Sequence, residues 1–108
     1  MAWPKISVDN LPLVFDLLYK QGKIDGNSFS FYLTKDAGQP GSAMVLGGVN
    51  NAYAAENFKY YPLVSETYWL VNMSDIVFNG TSFKKNNVLM AIIDTGTSVI
   101  AGATKIVE

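Results

Sequence analysis

Asp94 ends the longest uninterrupted apolar run in the chain, Val88 to Ile93, and opens the polar turn Asp94-Thr95-Gly96-Thr97-Ser98. A carboxylate delivered by such a run is expected to leave the core where water is scarce. Thr95, Thr97 and Ser98 supply three hydroxyls able to donate to that carboxylate or to a bound peptide backbone. Gly96 keeps the space above the turn open to an approaching chain. A desolvated carboxylate held by hydroxyl and amide donors is what general acid–base catalysis requires. Asp and Gly are also ordinary turn formers, so the short motif alone does not decide the matter.

Peptide hydrolysis without a metal needs two facing carboxylates that share a proton and polarise a water between them. Like charges in close contact cannot both ionise, so one serves as base and the other as acid. The other acidic residues are Asp9, Asp16, Asp25, Asp36, Asp75, Glu56, Glu66 and Glu108. None of them follows a comparable buried strand or sits in a second Asp-Thr-Gly. The partner carboxylate is therefore expected outside this chain.

The elements that must position Asp94 read mostly as strands. Residues 10 to 23 carry the best helix signal. Asn10 or Leu11 can cap it, Pro12 suits its first turn, Leu13, Val14, Leu17 and Leu18 form an apolar stripe, and Gly22 stops it. Phe29 to Leu33 alternates large apolar with small polar residues, and Asp36 to Ser42 is turn-rich. Ala43 to Leu46 is a second short strand, closed by Gly47-Gly48, which suggests a bulge or close backbone contact. Phe58 to Val64, broken by Pro62, can only be an edge or bent strand. Tyr68 to Met73 is aromatic and β-branched, a good strand. Ile76-Val77-Phe78 runs into Asn79-Gly80, a strong hairpin signal. Val88 to Ile93 is apolar on both faces, hence read as a fully buried strand. Ala103 to Glu108 reads as the start of a helix.

Composition narrows the function classes. The 108 residues suffice for one globular domain with a real core, and 49% apolar content argues against disorder. No apolar run approaches the length needed to span a bilayer, and no basic segment precedes an apolar stretch at the N-terminus as in a signal peptide. The net charge is −1, and all eight basic residues are lysines. A phosphate-reading surface gathers Lys and Arg on one face, whereas the only adjacent basic pair here is Lys84-Lys85, so no nucleic-acid partner is expected. With no Cys and no His, thiolate catalysis, a Ser-His triad and structural zinc are all excluded within this chain.

The segment Ala91 to Ser98 resembles the second active-site motif of pepsin-like (family A1) aspartic endopeptidases. The likeness extends along the chain in order. Trp3-Pro4-Lys5-Ile6-Ser7, Pro12 to Leu18 and Gln21 to Ile24 resemble the late first-lobe segment and its helix. Phe29 to Leu33 resembles the strand that enters the interlobe sheet. Gly41-Ser42, Val45 to Val49 and Tyr68 to Val71 follow as they do in the family. An ordered set covering essentially all 108 residues is far more specific than any one piece.

The resemblance implies a mostly β, bilobed fold with one short amphipathic helix near the N-terminus. Residues 1–35 would form the end of the first lobe and the interlobe strand, and residues 36–108 the first part of the second lobe. Asp94 would be the second-lobe catalytic aspartate, working without metal or cofactor. Thr95 would brace the two active-site loops, and Gly96, Thr97 and Ser98 would line the substrate cleft. Tyr32, Leu46 and Trp69 are assigned to packing. The first aspartate and the flap tyrosine would belong to the remainder of the same polypeptide, so the piece should be inactive alone. The substrate would be a peptide or protein. The family usually enters the secretory pathway, for secretion or for an acidic compartment of lysosomal or vacuolar type.

Two departures stand out. Asn79 to Met90 lacks the disulfide that members such as pepsin carry before the motif, and Ala103 stands where a proline usually follows Gly102. Two N-glycosylation triplets occur, Asn72-Met73-Ser74 and Asn79-Gly80-Thr81. Asn72 lies within a strand, and Asn79, at a hairpin tip, is the better acceptor. Two other readings compete: a retropepsin-like homodimer in which each chain gives one Asp94, and a catalytically silent peptide-binding relative.

Overall fold

The computed structural model describes residues 1, 3–35, 38, 41–54, 56–83 and 89–102. Expectations that fall on Asp36, Ala37, Gln39, Pro40, Lys84, Lys85, Val88 and the helix from Ala103 lie outside the described residues. The chain divides into two compact units, one of Met1 with Leu11–Tyr60 and one of Ala2–Asn10 with Tyr61–Glu108.

The first unit holds helix α1 (Val14–Lys20) and the antiparallel pair β1 (Phe29–Tyr32) and β2 (Ala43–Leu46). The helix starts later than residue 10 because Asp9 and Asn10 adopt left-handed φ of 54° and 53°. A capping residue needs extended backbone instead, and Leu13 occupies that position without a side-chain cap. The C-terminus ends as expected at Gly22, φ 64°. There Gly22 N–H donates to Tyr19 O at 3.0 Å and Lys23 N–H to Leu18 O at 2.9 Å, a Schellman closure.

The apolar stripe differs in detail from expectation. Leu13, Phe15 and Leu18 are half-buried while Val14 and Leu17 are exposed. Phe15 is drawn in by Phe29 of β1, the rings meeting edge to face at 5.3 Å. The close backbone contact expected at Gly47-Gly48 is present. A Cβ on Gly26 would collide with the Gly47 carbonyl oxygen, and Gly47 itself has φ 89°.

The second unit contains an antiparallel sheet of β3 (Leu63–Glu66), β4 (Trp69–Met73) and β7 (Leu89–Ile92), with β4 in the centre. The same unit contains the hairpin β5 (Val77–Phe78) and β6 (Thr81–Ser82), turning at Asn79-Gly80 as the dipeptide predicts. The strand expected from Phe58 begins only after Pro62, and β3 is an edge strand with an irregularity between Leu63 and Ser65. Trp3 packs on Trp69, ring centroids 5.4 Å apart.

The expectation that the strand before Asp94 is buried on both faces is corrected. Leu89 and Ala91 are half-buried, but Met90 and Ile92 are exposed. Among the described residues only one face of β7 is covered, and none of those residues is fully buried. An apolar run shows that a strand tolerates cover on both faces; it does not supply that cover.

Candidate active site

Strand β7 runs antiparallel to β4 with Ile92 opposite Leu70 and Ala91 opposite Val71. One residue beyond, Ile93 N–H donates to Trp69 O at 2.9 Å, the last backbone tie of this strand among the described residues. Asp94 is thus the first residue released from the sheet. Its base is anchored through Trp69 to the Trp3–Trp69 contact.

The turn then folds back onto the carboxylate. Gly96 N–H donates to Asp94 Oδ1 at 2.8 Å, and Thr97 Oγ1–H donates to Oδ2 at 2.6 Å. Local closure of this kind is typical of Asp, whose short side chain reaches backbone donors two residues on. Both donors favour the charged form. The Thr97 hydroxyl foremost, and the Gly96 amide after it, hold the Asp94 carboxyl below the ordinary aspartate range.

Gly96 has a second role beside the open space expected above the turn. A Cβ at Gly96 would lie 3.2 Å from Asp94 Oδ1. The missing side chain therefore gives room to the carboxylate itself. Thr95 and Ser98 are exposed and neither donates to Asp94, so one of the three anticipated hydroxyls, Thr97, holds the group.

Asp94 is exposed, which corrects the expectation of a desolvated carboxylate. The physical reason is the uncovered face of β7: with Ile93 59% exposed, no apolar wall stands beside the turn among the described residues. Each carboxylate oxygen has one donor and keeps acceptor capacity for a further proton or water. Among the described residues no group of three His, Cys, Asp or Glu side chains comes together to hold a metal.

Two contributors have no role assigned to them in the sequence reading. Trp3, there only part of a resembling segment, donates its N–H to Thr67 O at 3.4 Å and packs on Trp69 of β4. Asp75 ties the hairpin: its Oδ1 accepts from Ile76 N–H at 2.7 Å and its Oδ2 from Ser82 Oγ–H at 2.5 Å. An Asp one residue before an apolar strand is a signal for such a turn. Asn79 stands exposed at the hairpin tip, and Asn72 lies in the central strand β4 opposite Met90.

Comparison with known proteins adds an independent observation. A family model described as eukaryotic aspartyl protease matches residues 1–108. The chain is similar to cathepsin D of Gallus gallus, 42% identical over 110 residues covering 100% of this chain and 27% of that protein. It is similar to cathepsin D of Clupea harengus, 39% identical over 103 residues, 94% of this chain and 26% of that protein. Pepsin A of Rhinolophus ferrumequinum is 36% identical over 104 residues, 96% of this chain and 27% of its own length. The chain therefore spans about a quarter of the length of these relatives.

Proposed function

Because the chain belongs to the eukaryotic aspartyl protease family, we propose that it supplies one half of the catalytic centre of a bilobed aspartic endopeptidase, with Asp94 as its second-lobe carboxylate. The observation that carries this reading is the fixed Asp94 side chain, one oxygen held by the Gly96 amide and the other by the Thr97 hydroxyl. A catalytic group must be oriented before substrate arrives, and two donors from its own turn do that.

In the proposed reaction Asp94 faces a second carboxylate from the remainder of the polypeptide, across one water. The ionised member of the pair takes a proton from the water as its oxygen attacks the scissile carbonyl carbon, and the protonated member gives its proton to the carbonyl oxygen. Collapse of the tetrahedral gem-diol then breaks the C–N bond: the amine nitrogen takes the proton that the first carboxylate had drawn from the water, and a gem-diol hydroxyl returns its proton to the second. Aspartic proteases are the established example of such proton sharing, in which the two pKa values belong to the pair. The donors from Gly96 and Thr97 bias the Asp94 side toward the charged form.

Thr95 is assigned to bracing the paired loops, and Gly96, Thr97 and Ser98 to the cleft wall beside a peptide or protein substrate. Residues 1–35 are assigned to the end of the first lobe with the interlobe strand, and 36–108 to the opening of the second. The exposed face of β7, with Met90 and Ile92, is where the rest of that lobe would pack. The parent is placed in the secretory pathway, either secreted or in an acidic compartment. Among the described residues no helix is long and apolar enough to cross a membrane. Asp94→Asn in the intact parent, assayed for acid proteolysis, tests the reading.

A further inference from the structure

We propose that Asn79 carries an N-linked glycan whose first sugar lies over the exposed ring of Phe78. The inference rests on the secretory placement proposed above. The acceptor triplet Asn79-Gly80-Thr81 forms the turn of the β5–β6 hairpin. Asn79, φ 48°, and Gly80, φ 77°, are its two left-handed residues, flanked by the paired residues Phe78 and Thr81.

The geometry suits an acceptor. Asn79 and Thr81 are both exposed, on the two sides of the tip of the hairpin. The amide nitrogen and the hydroxyl two residues on are therefore both available to the transferring enzyme. Asn72, in the other triplet, is exposed as well, but it sits within the central strand β4 and is paired with Met90. A two-residue hairpin tip presents its acceptor on a backbone free to turn into an enzyme's cleft, whereas the backbone at Asn72 is held in a strand with a neighbour on each side.

Transfer forms a bond from Asn79 Nδ2 to C1 of the first sugar of a polyprenyl-pyrophosphate-linked oligosaccharide. The C1–O bond to the pyrophosphate breaks, polyprenyl pyrophosphate leaves, and Nδ2 loses one proton. Phe78, immediately before the acceptor, is 74% exposed despite its large apolar ring. The C–H face of a pyranose covers apolar area while its hydroxyls remain in water, so the sugar and the ring gain from contact.

The test uses the full-length parent with its own upstream sequence, expressed in eukaryotic cells and recovered from the lumen or medium. Glycan removal by an amidase in heavy-oxygen water converts each occupied asparagine to labelled aspartate, which peptide mapping locates. The label is expected at position 79, abolished by Asn79→Gln and by Thr81→Ala, and unaffected by Asn72→Gln. Glycan removal is expected to lower the thermal midpoint, and to lower it less in Phe78→Ala. A bare Asn79 in protein recovered from the lumen overturns the glycan, and an equal drop in Phe78→Ala overturns the ring contact. Protein that never enters the lumen contradicts the secretory placement, and this proposal falls with it.

Discussion

The Thr97 hydroxyl donates to Asp94 Oδ2 at 2.6 Å, three residues after the carboxylate it holds. With the Gly96 amide on Oδ1, the turn surrounds its own acidic group with donors instead of burying it. A group held this way is oriented and biased toward the charged form even while exposed to water.

Thr97→Val removes the largest of the influences that depress Asp94. Its pKa should rise toward the ordinary aspartate range, and Thr97→Ser should restore it. A depressed carboxylate stabilises the fold above its unfolded pKa, and that stabilisation is lost as pH falls through the folded pKa. Thr97→Val should therefore flatten the acid limb of stability against pH. In the intact parent, the acid limb of kcat/KM should move to higher pH. An unmoved profile would show that Thr97 does not govern this carboxylate.

Gly96→Ala places a Cβ at 3.2 Å from Asp94 Oδ1, tighter than ordinary contact, so the carboxylate must shift by a few tenths of an ångström. Catalysis is sensitive to such displacement, and kcat in the intact parent should fall about tenfold or more. The thermal midpoint should change little. A fall in kcat matched by a fall in the thermal midpoint would indicate a folding effect.

Gly26→Ala tests the first unit. The new Cβ meets the Gly47 carbonyl oxygen, a backbone atom that cannot swing away, so a cost of about 1–3 kcal/mol is expected. Gly48→Ala meets nothing within 4 Å and should cost no more than about 0.5 kcal/mol. Denaturant unfolding of the two variants compares them directly.

Much of this arrangement was legible in local chemistry. Gly22 as helix stop, Asn79-Gly80 as hairpin turn, and Asp94 as the exit of a strand all depend on backbone preferences of one or two residues. What depends on distant cover was not legible. The run Val88 to Ile93 looked buried because apolar residues occupy both of its faces, yet Met90 and Ile92 have no cover among the described residues. The same gap left Asp94 exposed when a dry site was expected. The helix start was missed because Asp9 and Asn10 turn left-handed, a conformation that Asn and Asp tolerate but that no periodicity reports. The Trp3–Trp69 contact joins residues far apart in sequence, and no local pattern pairs them.

The central claim is that Asp94 is one of two catalytic carboxylates, and the direct measurement is proteolysis of an unfolded protein at acid pH by the intact parent and by its Asp94→Asn variant. Removing a member of a catalytic unit typically costs several powers of ten in kcat, so the variant should lose at least about a thousandfold. It should still bind a peptide substrate and unfold near the same temperature. A variant that keeps its kcat, or an isolated 108-residue chain whose own proteolysis Asp94→Asn abolishes, would contradict the account.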